Sequence, residues 1–277
     1  MPELPEVESL RRILRRSAVG RVIVGARISQ IALRRKPPGD FAAQIAGRRI
    51  REIARRAKYL IVDLDGDHVI LVHLGMSGSL THRRAGFDSA GFDPRHDHIE
   101  FFLDDATRIV FNDPRRFGLV RLLARDAMDS SAELRAIGPE PFSAEFNARY
   151  LADKARGRRG AIKNLIMDQR IVAGIGNIYA SEILFRARVR PTRRAGRVNA
   201  AEMKQIAAFT TEILRAAIGS RGTTFRSYRD SKGRPGRFAG RLRVYGRAQQ
   251  PCYVCSTPIG NVLVGQRASF YCPKCQK

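Results

Sequence analysis

Short apolar or alternating runs, separated by glycine and aspartate, fill the first half of the chain. This pattern predicts strands over residues 21–28, 59–64, 68–74, 98–103, 108–111 and 119–123. Strands this short and this frequent are typical of an antiparallel sandwich or barrel. The stretch 81–95, which contains Gly86, Gly91 and Pro94, is predicted to be a loop.

Helical periodicity appears before the first strand and again after about residue 140. Residues 5–19 are predicted to form a helix with Val7, Leu10, Ile13 and Leu14 on one face. Ser143 is expected to cap a second helix that runs to about residue 156. Further helices are predicted over 162–168, over 177–186 and from Asn199, which with Glu202 comes close to a capping box, to about 219.

All four cysteines lie near the end of the chain and form two C-x2-C pairs separated by sixteen residues: Cys252, Cys255, Cys272 and Cys275. Such pairs bring four thiolates around one tetrahedral zinc ion. Disulfides are the alternative, and an intracellular location argues against them. Residues 258–271 between the pairs alternate like a short hairpin. A ribbon this small needs its metal to fold.

The charge of the chain points to a polyanionic partner. There are 51 Lys and Arg residues against 26 Asp and Glu, a formal net charge of +25. Nucleic acid fits such a field best, and an anionic membrane surface is the alternative. However, no long apolar span and no separate basic amphipathic helix is found. Residues 1–20 lack the apolar core of a signal peptide, so a cytoplasmic protein is expected.

Residues 219–247 differ in composition from the segments around them. They hold nine Lys and Arg, one acidic residue and six glycines. We expect this composition to build no core, and to form either a basic loop that orders on a polyanion or a solvated linker.

The first residues carry candidate chemistry. After removal of Met1, Pro2 would offer a secondary amine that can attack an electrophilic carbon and form an iminium. Glu3 places a carboxyl group beside it for proton transfer. The predicted helix puts its positive end near this amine, which favours the unprotonated, nucleophilic form. The alternative is an ordinary chain start with a helix-initiating proline.

Several motifs occur in one order along the chain: MPELPEVE at 1–8, RRAKYL at 55–60, HLGMSGSL at 73–80, HDH at 96–98, NDPRRFG at 112–118, GIGNIYASE at 174–182, VYGR at 244–247 and QRASFYCPKC at 266–275. With these motifs the chain closely resembles the formamidopyrimidine-DNA glycosylases from residue 2 to residue 277. The resemblance implies an α+β multidomain fold: an N-terminal antiparallel β-sandwich (1–135), a helix–two-turn–helix domain (136–222), a basic lesion-capping loop and linker (223–247) and a zinc-finger hairpin (248–277).

The resemblance also implies an activity and a partner. It predicts a monomeric repair enzyme that binds damaged double-stranded DNA, flips out an oxidised purine and removes it through a Schiff base on Pro2. Glu3 would protonate the sugar oxygen, and β,δ-elimination would then cut the strand. One structural Zn²⁺ ion would be the only cofactor. The alternatives are an endonuclease VIII-like glycosylase for oxidised pyrimidines and a non-catalytic zinc DNA-binding protein.

Further site residues are implied by the matching motifs. Lys58, near the lesion phosphate, and Arg267, on the flanking phosphates, join Pro2 and Glu3 in the catalytic set. The remaining matches are DNA-binding residues: His73, His96, Arg158, the phosphate-binding Asn177, and the three residues expected to fill the emptied base stack, Met76, Arg115 and Phe117.

Simpler roles stay open for several of these residues. Met76 and Phe117 could be core residues, Asn177 a helix N-cap and Lys58 a solvated charge. The family's lesion-capping loop often reads like SDGKPGYF, and here Arg234 and Arg237 replace a lysine and an aromatic residue. The ranking of lesions is therefore open.

Overall fold

The structure is a computed structural model that describes residues 2–30, 33, 37–84, 87, 92–223 and 236–277. Two compact units divide the chain. The first combines Met1–Arg135 with Ile218–Ala239, and the second combines Ala136–Ala217 with Gly240–Lys277.

The first unit begins with helix α1 (Leu4–Ala18) and contains a short helix α2 (Phe41–Ile45). Its strands form one antiparallel sheet in the order β5-β7-β6-β1-β2-β3-β4-β8. Their bounds are β1 Val22–Ile28, β2 Arg48–Arg56, β3 Tyr59–Leu64, β4 His68–His73, β5 Ser79–Arg83, β6 Asp97–Leu103, β7 Arg108–Asn112 and β8 Leu119–Ala124.

The sheet folds into a sandwich because its two halves share one core. Strands β1 and β2 pair over only two residues, at Val22 and Ile23, which makes a corner between the halves. Buried side chains from α1 and from both halves pack in one cluster, for example Leu14, Ile53 and Phe101. The antiparallel sandwich predicted from the sequence is therefore confirmed.

The six strands predicted from the sequence are present, each within two residues of its expected bounds. Two strands and α2 were missed. Strand β2 buries only Ile50 and Ile53 among its first six residues, and a bulge between Ile50 and Glu52 breaks its period of two. Strand β5 overlaps the start of the predicted loop 81–95. It was missed because its buried residues Ser79, Thr81 and Arg83 are polar, and only their hydrogen bonds make their burial possible.

The second unit contains helices α3 (Ala148–Ala155), α4 (Ile162–Met167), α5 (Asn177–Arg186) and most of α6 (Ala200–Gly219). The predicted cap at Ser143 is wrong. Asn147 caps α3 by accepting the N–H of Tyr150, while Ser143 donates to the carbonyl of Glu140 in a preceding turn. The start signal before α6 is confirmed, because Asn199 and Glu202 exchange side-chain-to-backbone hydrogen bonds.

The chain ends in a two-stranded ribbon, β9 (Gly260–Val264) and β10 (Arg267–Tyr271), where the hairpin was expected. The expectation that 219–247 builds no core is wrong for the part after residue 235, where Phe238, Leu242 and Val244 are buried. Residues 230–235 of the motif around Arg234 lie outside the described residues, and so does the lesion-capping role assigned to that motif. Within the described chain, no helix is long and apolar enough to cross a membrane.

Candidate active site and nucleic-acid interface

Pro2 and Glu3 are buried at the start of α1, and Glu3 is 1% exposed. Glu3 is the N-cap of the helix, and its side chain accepts the backbone N–H of Glu6. The Glu6 carboxylate accepts the N–H of Glu3 in return, at 2.9 Å. This reciprocal capping box fixes the chain start at the positive end of a 15-residue helix. A carboxyl group thus sits next to the proline whose nitrogen is the candidate nucleophile.

Glu6 also connects α1 to the segment that precedes residue 224. Its Oε1 atom accepts the N–H of Thr223 at 2.6 Å. Gly222 has a φ of +75°, and a Cβ atom there would lie 2.6 Å from Glu6 Oε1. A larger residue at 222 would therefore be strained and would push Glu6 away from both N–H groups. No role is predicted for Glu6 from sequence patterns, although it lies in the first motif.

Lys58 lies in the turn between β2 and β3 and is only 5% exposed, so the solvated-charge alternative is wrong. His73 ends β4, with its ring 4.7 Å from that of Tyr59. Burial, and then the charge of Lys58, lower the pKa of His73 to about 4. The N–H of Gly75 donates to Nδ1 of His73. The imidazole is therefore neutral near pH 7, and its Nε2–H is a donor without charge.

The three residues expected to enter the base stack are exposed. Met76 is 43% and Phe117 is 44% exposed, so neither is a core residue. Arg115 is also exposed, and its guanidinium lies 5.0 Å from the centre of the Phe117 ring. A cleft of about 420 Å³ beside Phe117 is lined by Tyr59, His73, Gly118, Leu119, Ala132 and Glu133.

His96 ends a single 3₁₀ turn, Pro94–His96, and its side chain is about one third exposed. Its carbonyl accepts the N–H of Asp113, at the base of the turn that carries Arg115 and Phe117. The structure therefore places His96 beside that turn.

In the second unit, Asn177 is the first residue of α5, and Gly176 is the N-cap. The plain N-cap role considered for Asn177 is therefore wrong. Its Oδ1 accepts a hydrogen bond from Lys163 Nζ at 2.6 Å, and its Nδ2 donates to the carbonyl of Ala268 at 3.0 Å. Lys163 is fully buried and also donates to Ser269 Oγ at 2.6 Å. A buried ammonium thus ties the start of α5 to the ribbon strand β10.

The predicted cations of this unit are at the surface. Arg267 is exposed at the start of β10, next to the Ala268 carbonyl that binds Asn177. Arg158 is exposed after α3, and its guanidinium donates to the carbonyl of Lys154. Two glycines, Gly174 and Gly176, precede α5, whose N-terminal N–H groups suit a phosphate.

Glu182 on α5 anchors the chain that leads to the ribbon. Its buried carboxylate accepts the backbone N–H groups of Arg243, Val244 and Tyr245 at 2.8–2.9 Å. Burial raises the pKa of Glu182, and the three N–H groups oppose that rise. These three hydrogen bonds therefore hold the start of the VYGR motif against α5.

The four cysteines converge, with all sulfur atoms within 4.8 Å of one another. Cys252 and Cys275 are 4.0 Å apart, and Cys255 lies 3.4 Å from both Cys272 and Cys275. Tetrahedral Zn–S bonds of about 2.3 Å imply sulfur separations of about 3.8 Å, so these residues fit one such ion. All four are free thiols, which removes the disulfide alternative.

Comparison with known proteins assigns these features to a family. The model of the formamidopyrimidine-DNA glycosylase N-terminal domain matches residues 1–120. The model of the formamidopyrimidine-DNA glycosylase H2TH domain matches residues 137–229. Together the two models cover well over half of the chain. The chain belongs to the formamidopyrimidine-DNA glycosylase family.

Individual family members agree over the full length. The formamidopyrimidine-DNA glycosylase of Methylococcus capsulatus is 43% identical over 278 residues, covering 100% of both chains. The crystal structure of the MutM (Fpg) protein of Thermus thermophilus has a TM-score of 0.87 at 35% identity, covering 99% of this chain and 98% of that one. Lactococcus lactis Fpg, solved with DNA containing an abasic site, has a TM-score of 0.90 at 29% identity, covering 99% of each chain.

Within this glycosylase-family site, four buried charged residues were not singled out from the sequence. Glu6, Asp113 and Glu182 lie inside motifs that were identified, so the motifs themselves carried the signal. Lys163 follows a run of arginines and has no local signal, because only the tertiary fold reveals that its side chain is buried.

Proposed function

We propose that this protein is a base-excision repair enzyme, a bifunctional DNA glycosylase and abasic-site lyase that acts on double-stranded DNA. The observation that carries the proposal is the buried Pro2-Glu3 pair at the start of α1, in a chain that belongs to this glycosylase family. The excess of 51 Lys and Arg over 26 acidic residues supports DNA as the partner. We expect the enzyme to act as a monomer in the bacterial cytoplasm.

The chemistry begins at Pro2 once Met1 has been removed. The proline nitrogen attacks C1′ of the flipped nucleotide, and the N-glycosidic bond breaks as the base leaves with its electron pair and takes up a proton. Glu3 protonates the sugar ring oxygen, the ring opens and an iminium forms. Loss of a C2′ proton expels the 3′ phosphate, and a second elimination expels the 5′ phosphate. Hydrolysis of the remaining Schiff base then frees the enzyme.

Cations and polar groups hold the DNA while this happens. Lys58 contacts the phosphate at the lesion, and Arg267 and Asn177 hold flanking phosphates. His73, His96 and Arg158 make further backbone contacts. The buried Lys163 supports this role for Asn177, because it orients the side-chain oxygen and leaves the amide in place beside β10.

Met76, Arg115 and Phe117 fill the space from which the nucleotide is extruded. Their exposure supports this role, because an exposed Met and Phe on glycine-flanked turns leave apolar surface in water that insertion into a base stack would bury. We refer to these three side chains as the wedge.

One Zn²⁺ ion held by Cys252, Cys255, Cys272 and Cys275 is proposed to be structural. Four protein ligands complete a tetrahedral site, so the metal fixes the ribbon and leaves no position for substrate. Arg267 then acts from a ribbon that the metal has ordered.

Oxidised purines, namely 8-oxoguanine and formamidopyrimidines, are the proposed substrates. The test is excision from matched duplexes that carry either 8-oxoguanine opposite cytosine or thymine glycol opposite adenine. Faster release of 8-oxoguanine supports the purine enzyme. A preference for thymine glycol would assign the endonuclease VIII-like activity instead, and no release from either duplex, with binding retained, would leave only a DNA-binding protein.

A further inference from the structure

Asp113 is a fully buried carboxylate between the two turns that carry the wedge. Its Oδ1 accepts the hydroxyl hydrogen of Ser77 at 2.6 Å, from the turn 74–78 that contains Met76. Its Oδ2 accepts the N–H of Gly118 at 2.8 Å, from the turn 113–118 that contains Arg115 and Phe117. A single side chain therefore binds both turns.

The backbones of the two turns also touch. Gly75 has a φ of +60°, and a Cβ atom there would lie 2.5 Å from the carbonyl carbon of Phe117. The N–H of Arg115 lies 3.3 Å from both Ser77 Oγ and Asp113 Oδ1. The turns interlock so closely that neither can shift far without the other.

The backbone of Asp113 is itself held by hydrogen bonds to His96 and to His98 on strand β6. The buried His98 donates from Nε2 to the Asp113 carbonyl at 2.9 Å, and Asp113 donates its own N–H to the carbonyl of His96 at 3.0 Å. The carboxylate is thus anchored to β6 and the turn before it, while both of its oxygens point to the wedge turns.

We propose that Asp113 is a positioning residue that holds Met76, Arg115 and Phe117 as one rigid wedge, so that the three side chains enter the base stack together. The proposal rests on the wedge role given under Proposed function. An ordinary turn-capping aspartate would need only the bonds within 113–118. The link through Ser77 to the other turn serves no purpose within 113–118, and it is the feature that joins the Met76 side of the wedge to the Phe117 side.

The test compares Ser77→Ala and Asp113→Asn with Ser79→Ala. Ser79 is buried two residues farther along the chain and donates to the carbonyl of Asn112, so its loss removes a similar hydrogen bond without touching Asp113. The main measurement is the fluorescence of 2-aminopurine next to a reduced abasic-site analogue in a duplex, at saturating protein. It reports opening of the stack by the wedge and requires no chemistry.

Ser77→Ala and Asp113→Asn are expected to reduce the fluorescence rise and to slow excision from an 8-oxoguanine duplex about tenfold, with strand cleavage at a preformed abasic site changed less than about threefold. Ser79→Ala should behave like the wild type. Wild-type fluorescence in Ser77→Ala and Asp113→Asn, or equal losses on both substrates, would overturn the proposal. If wild-type protein opens the stack but excises nothing, the proposed function fails while the fluorescence of these variants still decides the role of Asp113.

Discussion

In the N-terminal sandwich, 23 buried apolar residues of the described part of the first unit make one cluster. Around the C-terminal ribbon the corresponding cluster has five described members, and two of them are the cysteines Cys252 and Cys272. The sandwich therefore has apolar burial enough to hold Pro2, Glu3 and the wedge on a rigid scaffold. The ribbon holds Arg267 on a segment whose order depends on its thiolates.

The difference teaches that functional rigidity has two sources in this protein. In the sandwich, buried carboxylates such as Glu6 and Asp113 add hydrogen bonds to loops that already rest on an apolar core. In the ribbon the proposed zinc ion would take the place of the core. Mutations in the two regions should consequently have different effects. Loss of the metal should unfold the ribbon completely, whereas loss of one carboxylate hydrogen bond should lower the stability of the sandwich only slightly.

The largest effect is expected from Cys272→Ser or from metal chelation. Binding of structural zinc contributes on the order of 10 kcal/mol to small ribbons, so its loss should unfold the ribbon and weaken DNA binding about a thousandfold. The sandwich should stay folded. Metal analysis, near-UV spectroscopy and DNA titration check this, with Ser256→Ala as a control on the same ribbon. A metal-free protein with full activity would contradict the role of the ribbon.

The next largest effects should distinguish a buried cation of the second unit, Lys163, from an exposed one, Arg267. Lys163→Met removes the donor to Asn177 and Ser269 and should lower the free energy of unfolding by about 3 kcal/mol. The salt dependence of DNA binding should stay unchanged, because Nζ is buried within the protein. Arg267→Ala should flatten the slope of log K against log salt by about 0.9. Titrations at several salt concentrations measure both.

The exposed Lys204→Met gives the matched loss of one charge away from the ribbon contacts. A flatter slope for Lys163→Met would mean that its ammonium reaches a phosphate, which contradicts the supporting role. An unchanged slope for Arg267→Ala would remove that arginine from the DNA backbone.

In the sandwich, Phe117→Ala should slow excision of a stacked, paired base about a hundredfold, because one side of the wedge is lost. Strand cleavage at an abasic site should suffer much less, since no base has to be extruded. The salt slope should equal that of the wild type because no charge is removed. Equal impairment on both substrates would contradict the wedge role of Phe117.

The smallest effect concerns the pH dependence of stability. His73 has a pKa of about 4 in the folded protein against an ordinary value of 6.5, so the unfolded chain binds a proton first as pH falls. Stability from this group is complete above pH 6.5 and is lost toward pH 4. Between pH 7 and pH 5, the free energy of unfolding of His73→Gln should therefore fall by about 1–2 kcal/mol less than that of the wild type, as measured by urea unfolding. His68→Gln, at the other end of β4, is the control, and identical pH profiles for wild type and His73→Gln would refute the shift.

Sequence patterns predicted elements where apolar periodicity is regular and missed them where it is not. Strands β3 and β6 alternate or run apolar and were located within a residue. Strand β2 was missed because five arginines and a bulge hide its two buried isoleucines. The cysteine spacing correctly predicted that the four cysteines converge at a site that could hold a metal ion, because four ligands in two tight pairs have few other arrangements.

The buried charges of the site could not be predicted in the same way. Glu6, Asp113 and Lys163 look like surface residues in their local sequence, and each has a partner far along the chain: Thr223 lies 217 residues from Glu6, Ser77 lies 36 from Asp113 and Ser269 lies 106 from Lys163. Only the tertiary fold brings a carboxylate or an ammonium to donors and acceptors so distant along the chain. The N-terminal Pro2-Glu3 pair could be proposed from the sequence, because the chemistry proposed for it depends on position at the chain start rather than on long-range contacts.

The central claim is that Pro2 is the nucleophile, and borohydride trapping tests it most directly. Protein lacking Met1 is incubated with an 8-oxoguanine duplex and sodium borohydride, and the covalent adduct is mapped by proteolysis and mass spectrometry. We predict one adduct, on the peptide that begins with Pro2, and none when the N-terminus is blocked by a verified tag or retained Met1. An adduct on Lys58 or another lysine, or undiminished trapping by the blocked protein, would contradict the account.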